Sequence, residues 1–235
     1  MDFSIEAGIF DYFPGMRLVV AAAEGMSVPT DSEPVAAFLR EGWRNAAAAS
    51  KAYGNPQSHP FIKPWGERMK GAGAPRKDFP SSIEALTRRA GKSESPFSIH
   101  PFVDFYNAVS LSYLVPAGGF DIDALREGLA LRLSRQGDSF TALDGEAGVD
   151  IPPGEVSYAD GGMIVTRHFV WKQSRHAIIT PESRNIFFVS EILGELPQDT
   201  AQNVLDALTE GLRRFFSADV RGDILDAGHR SMRIR

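Results

Sequence analysis

Residues 129–192 read LALRLSRQGDSFTALDGEAGVDIPPGEVSYADGGMIVTRHFVWKQSRHAIITPESRNIFFVSEI, and the order of elements in this stretch decides the fold. Segments 129–134, 138–143, 155–159, 163–171 and 185–192 are rich in β-branched and aromatic residues, and turn-forming Gly, Pro, Asp and Ser separate them. The spacing predicts consecutive strands with no helix between them. In 163–171, alternation places Arg167, Phe169 and Trp171 on one face and Ile164, Thr166, His168 and Val170 on the other.

Upstream, residues 16–23 (MRLVVAAA) predict a short buried strand. Ser32, Glu33 and Pro34 then open a helix that carries Val35, Phe38, Leu39 and Trp43 to about Gly54. A Pro/Gly-rich basic loop over 55–80 holds a short helix near 64–70, and Ser81 with Glu84 reads as a capping box for a helix to about Ala90. Phe102, Phe105, Tyr106 and Val109 give residues 101–113 an aromatic helical face. Pro116–Gly119 reads as a turn into a short helix capped by Asp121. Downstream, 199–216 is amphipathic with Asp199 and Gln202 at its start, and the polar tail after Ser217 is expected to fray. A run of strands with helices on either side predicts an α+β class, not a regular βαβ alternation.

The 235 residues include no Cys, which excludes cysteine catalysis, thiolate zinc sites and a disulfide framework. No apolar run reaches membrane-spanning length, and the start MDFSIEAG lacks the basic region of a signal peptide. A cytoplasmic protein without a membrane partner is the expectation. The net charge of −5 argues against a nucleic-acid partner. It is unevenly distributed, however: residues 40–100 carry 11 basic and 5 acidic groups, and 166–190 carry 4 and 1. Such stretches form either a solvated surface, which the counts alone favour, or a local site for an anionic ligand.

There is no GxSxG, Walker-type loop, HExxH or dinucleotide fingerprint. No His pair stands at i, i+4, so neither a metal nor a cofactor is expected. His59 and His176 lie in polar loops, whereas His168 reads as a packed strand residue. Asp104 and Asn107, one helical turn apart, suit orienting a water or gripping a ribose hydroxyl. Their spacing serves equally to tie down a neighbouring loop, and alone it favours that role. Phe169 and Trp171, followed by Lys172, Gln173 and Arg175, read either as a stacking face with phosphate-binding groups or as core. Gly118 and Gly119 offer amides to an oxyanion, or simply turn the chain.

The ordered set IHPFVDFYNAVSL (99–111), VPAGGFDIDAL (115–125), LALRLSRQGDSFTALDG (129–145), VSYAD (156–160) and ITPESRNIFFVSE (179–191) resembles the B3/B4 (tRNA-binding) domain, the editing module of the bacterial phenylalanyl-tRNA synthetase beta subunit. Residues 15–90, with His59-Pro60-Phe61-Ile62 and Pro80-Ser81 through Glu84-Ala85-Leu86, are similar to the N-terminal part of freestanding proteins of this domain. The resemblance implies an α+β fold with a mixed and antiparallel sheet and flanking helices. It implies one domain over 1–235, comprising an N-terminal part (1–95), the editing-like core (96–192) and a C-terminal helix and tail (193–235). The implied partner is the aminoacylated acceptor end of tRNA, with no DNA and no membrane, and the implied reaction is hydrolysis of a mischarged ester in trans, without aminoacylation.

Carried over residue by residue, Asp104 and Asn107 match the VDxxNY helix, but the family's PxHxFD turn has Gly118 where its His stands. The family's recognition glutamate aligns with Val189, so tyrosine specificity does not transfer. The expected site therefore comprises Asn107, Asp104, Gly118 and Gly119 for catalysis, and Arg167, Phe169, Trp171, Gln173 and His59 for the pocket. Lys70, Arg76, Lys77, Arg88, Arg89, Lys172 and Arg175 are expected to hold RNA. A non-catalytic RNA-binding module that lost the editing His, and a small-molecule or amino-acid binder, are the alternatives.

Overall fold

The computed structural model describes residues 1–145 and 148–235. The chain forms β1 (Asp2–Ile5), α1 (Ile9–Tyr12), β2 (Arg17–Glu24), α2 (Glu33–Ala52), α3 (Lys63–Gly71), α4 (Ser82–Ala90), α5 (Pro101–Tyr113) and β3 (Ala117–Asp121). There follow β4 (Leu129–Leu133), β5 (Ser139–Phe140), β6 (Val149–Asp150), β7 (Val156–Asp160), β8 (Met163–Arg167), β9 (Lys172–Gln173) and β10 (Ile186–Ile192). The chain closes with α6 (Thr200–Phe216), β11 (Asp219–Leu225) and β12 (Ser231–Arg233).

Two sheets result. One is antiparallel in the order β11-β2-β10-β3; the other runs β12-β1-β4-β7-β8-β5-β6 with β9 paired to β8, and is mixed because β1–β4 and β5–β8 are parallel. The fold is α+β. β10 (IFFVSEI) is buried at every position, which explains its near-continuous apolar sequence: both of its faces are covered. Phe187 turns toward the mixed sheet and meets Phe3 at 5.0 Å between ring centroids. Phe188, on the opposite face, meets Phe105 of α5 at 6.3 Å. Helix α6 packs on β2 and β11. Gly42 lets α2 approach α5: a Cβ there would stand 2.9 Å from the Ala108 carbonyl oxygen.

The structure departs from the sequence reading at several places. Pro116–Gly119 is not a turn: residues 117–121 form edge strand β3, with Gly118 opposite Val189 and Gly119 opposite Phe188. The tail is not frayed, because β11 pairs along β2, β12 pairs with β1, and Leu225 and Ile234 are fully buried. Gly, Asp and Arg between its apolar residues hide the strand period. Ser81 makes no side-chain cap; Glu84 turns inward to Gln57, Arg76 and Arg88. The expected strand 163–171 ends at Arg167, because His168 and Phe169 take φ of 45° and 37° and turn the chain back into β9. That turn ends the predicted alternation of side chains.

Candidate functional site

A cavity of about 290 Å³ opens where α4, α5, the edge of β3, strands β7 and β10 and the 168–171 turn converge. It gathers Asn107, Gly118, Gly119, Phe169, Trp171, Gln173 and Arg89 from the sequence-derived set, together with Tyr106, Tyr158, Val189 and Glu191. Phe97 and Ile99, 43% and 61% exposed, stand at its lip.

Asp104 and Asn107 part company. Asp104 is buried and takes hydrogen bonds from the Ile99 amide (2.9 Å) and the Ser98 hydroxyl. It thus holds the lip against the start of α5 and is not in the cavity lining. The expected Asp104–Asn107 pairing on one ligand is corrected: the loop-tying role the spacing also allowed takes the carboxylate. Asn107, one turn on, lines the cavity.

Gly118 and Gly119 lie at the cavity edge, but the expectation that their two amides share an oxyanion fails. Successive residues of an extended strand point their N–H groups in opposite directions. Asp121 donates outward to the Ala177 carbonyl at 3.0 Å, and Gly119 accepts outward from Gln173 Nε2 at 3.1 Å. Alternation therefore places Gly118 and Phe120 in the ladder with β10 and leaves the Gly119 N–H on the open edge. A Cβ at Gly118 would meet nothing within 4 Å, whereas one at Gly119 would stand 2.9 Å from Ile179 Cδ1 and 3.2 Å from Phe188 Cδ1.

The floor is a pair that the sequence reading did not select. Tyr158 of β7 donates to Glu191 Oε1 of β10 at 2.6 Å, across the space between the two sheets. Both residues are buried. Burial pushes the Glu191 carboxyl up to about 7 against the pull of the Tyr158 hydrogen bond. Burial, then the Glu191 charge, pushes the Tyr158 hydroxyl well up. The available signal was a carboxylate inside a strand that is otherwise apolar except for one serine.

The 168–171 turn supplies the opposite wall. Phe169 packs on Phe13 (4.8 Å between centroids) and Trp65 (5.8 Å), so it is core on one side and cavity wall on the other. Trp171 stands edge-on to Phe79 at 4.8 Å. Arg167 is not a pocket residue: its Nη2 donates to Glu155 Oε2 at 2.7 Å, outside the cavity lining. Burial raises the Glu155 carboxyl, but the hydrogen bond from Arg167 and the flanking charges outweigh it and hold the group below its usual range. A buried acid recruited the guanidinium that the sequence made available. His59 is also elsewhere, packed against Tyr53 and Phe61, with Nδ1 accepting from the Phe61 amide at 3.1 Å.

The basic residues do not form one free patch. Arg76 and Arg88 converge on the single buried carboxylate of Glu84. Arg175 donates to the Leu143 carbonyl at 3.0 Å, and Lys172 stands 4.0 Å from Asp144. Lys70 and Lys77 are exposed. Arg89, also exposed, lies over the Phe97 ring at 5.3 Å and lines the cavity. The two basic stretches do meet at the cavity wall, where the Ser82 amide donates to the Val170 carbonyl at 2.7 Å. Among the described residues, no helix is long and apolar enough to cross a membrane.

The two sheets and the helices α4 and α5 thus enclose an aromatic-walled cavity with a buried carboxylate at its floor, within an α+β fold. The family described as B3/4 domain matches residues 74–217, and the chain belongs to that family. No curated protein matches the chain. Among solved structures it is similar to an N-terminal fragment of the phenylalanyl-tRNA synthetase beta subunit from Pyrococcus horikoshii. The identity is 12% and the TM-score 0.48, over 93% of this chain and 50% of that one. The chain thus spans half the length of that fragment.

Proposed function

We infer that this B3/4 domain receives the aminoacylated acceptor end of tRNA and hydrolyses the ester of mischarged species in trans, without any aminoacylation activity. The observation that carries the reading is the convergence of Asn107, the outward Gly119 amide and aromatic walls on one cavity beside Arg89. An aminoacyl ester is already activated, so positioning a water and stabilising the developing oxyanion can suffice. In the step inferred, water oxygen bonds to the ester carbonyl carbon and the bond to the ribose oxygen breaks. The water proton passes to that oxygen, giving free amino acid and tRNA with a free hydroxyl. Asn107 orients the water or the ribose, and the Gly119 N–H donates to the carbonyl oxygen as it becomes negative. Phe169 and Trp171 border the aminoacyl group, and Gln173, donating to the Gly119 carbonyl, ties β9 to the β3 edge and leaves the Gly119 N–H open. Phe97 with Arg89 above it offers a stacking face for the terminal base and a charge for its phosphate.

Incubation with a panel of mischarged tRNAs tests the reading; release of amino acid from at least one is expected, and none released at micromolar protein overturns it. A second reading, a binding module without turnover, is favoured by the open space at Gly118, where the resemblance places a family histidine. It predicts salt-sensitive tRNA binding with every ester left intact.

A further inference from the structure

We propose that the cavity floor is a site for a primary ammonium group, with the Glu191 carboxylate as its counter-ion and the Tyr158 hydroxyl aiming that carboxylate. This rests on the reading above, in which the ammonium belongs to the amino acid of an aminoacyl ester.

Glu191 is 3% exposed and enters the space between the sheets from β10. Its Oε1 accepts from Tyr158 at 2.6 Å, and among the described residues no side chain donates to Oε2. No cation contributes to its environment: its carboxyl responds to burial, Tyr158 and its own backbone amide. Across the β2–β10 pair it faces Leu18. A buried carboxylate without a counter-charge is unfavourable, and this one borders empty space. Without a ligand its own proton neutralises it; a counter-charge in place of that proton has to come from a ligand.

The chemistry of the walls narrows the ligand. Tyr106, Phe169 and Trp171 present aromatic surfaces, which attract cations. A neutral hydroxyl entering the cavity gains one hydrogen bond from Glu191. An ammonium gains that bond, the missing counter-charge and the aromatic walls. Because burial holds the empty carboxyl near neutrality, arrival of a cation should drive off its proton. A cavity of about 290 Å³ is of a size for one amino acid.

The test uses the intact protein and three probes, followed by calorimetry. L-Alaninamide carries only an α-ammonium, Nα-acetyl-L-lysinamide only a side-chain ammonium, and N-acetyl-L-alaninamide neither. At least one amine should bind the native protein, and the neutral probe should bind at least about tenfold more weakly. Which amine binds tells whether the site reads the α-amine or the side chain. Below pH 7, amine binding should release up to about one proton, read as a dependence of enthalpy on buffer. Glu191→Gln should lower amine affinity about 10- to 100-fold, and Tyr158→Phe should lower it less. The comparison of probes on native protein stands even if a variant fails to fold. No binding of either amine, a neutral probe bound as tightly as the amines, or native affinity in folded Glu191→Gln overturns the proposal. Amine binding without ester hydrolysis overturns the hydrolase reading and leaves the ammonium site standing. Hydrolysis without amine binding does the reverse.

Discussion

The cavity and the basic segment between Lys63 and Lys92 differ in how their polar groups are satisfied. In the segment, three arginines have found acidic partners, Arg68 with Glu195 and Arg76 and Arg88 with Glu84, while Lys70 and Lys77 stay exposed. In the cavity, inconspicuous groups are left open, namely Asn107, the outward Gly119 amide and one oxygen of Glu191. Charge counted along a chain therefore measures potential, and the part available to a ligand depends on which acids the fold has brought beside it. Here those open groups lie at the cavity, and among the described residues Arg89 is the Lys or Arg in its lining.

The largest test of this contrast is Glu84→Gln. Removing a buried carboxylate that two guanidiniums share should destabilise the protein by about 3 kcal/mol, read as a fall in thermal midpoint. Native stability in the variant would mean that the arginines are not held by Glu84 and remain free for RNA. Next comes the floor. The Glu191 carboxyl is raised from its ordinary 4.5 to about 7, so between those values the folded state binds the extra proton. Its contribution to native stability should then fall by up to about 3 kcal/mol as pH rises from 5 to 8, against the opposite trend from His59, His100 and His168, which burial holds below the ordinary histidine value. Glu191→Gln should remove that contribution, so that stability rises more, or falls less, with pH than in the native protein, and denaturant titrations across the range will show it. An equal slope in both proteins would mean that Glu191 ionises freely and the floor is not dry.

The edge glycines give a smaller, paired effect. Gly119→Ala should cost about 1–3 kcal/mol through the clash with Ile179 and Phe188. Gly118→Ala should be neutral or stabilising by up to about 1 kcal/mol, and thermal denaturation of the two variants compares them. The smallest effect lies in RNA affinity. Arg89→Ala should weaken tRNA binding and lower the salt slope by about one. Arg88→Ala should change the slope less, since Glu84 already partners it. A larger loss from Arg88 than from Arg89 would return the basic segment to the centre of the account.

The α+β class was legible because the strand signals in 129–192 come in an unbroken run and α6 carries a clean apolar stripe. β11 was not, since Arg221, Gly222 and Asp223 interrupt an edge whose pairing comes entirely from β2. Of the site, Asn107, the two glycines and the residues of 169–173 were visible in the residues and the family pattern, though not that the glycines form a strand edge. What sequence could not supply was who partners whom. Arg167 binds Glu155, and Glu191 meets a tyrosine 33 positions away on the other sheet. Both pairs depend on how the strands are placed in the fold, which local spacing does not encode, whereas the loop that Asp104 holds is its near neighbour in sequence.

In the proposed function the cavity, not the basic surface, reads the aminoacyl group. This is tested most directly by comparing affinities for one tRNA in two forms: uncharged, and carrying an amide-linked amino acid that cannot be hydrolysed. The aminoacylated form should bind more tightly by about tenfold or more for at least one amino acid. Equal affinity for the two forms across the amino acids would contradict it.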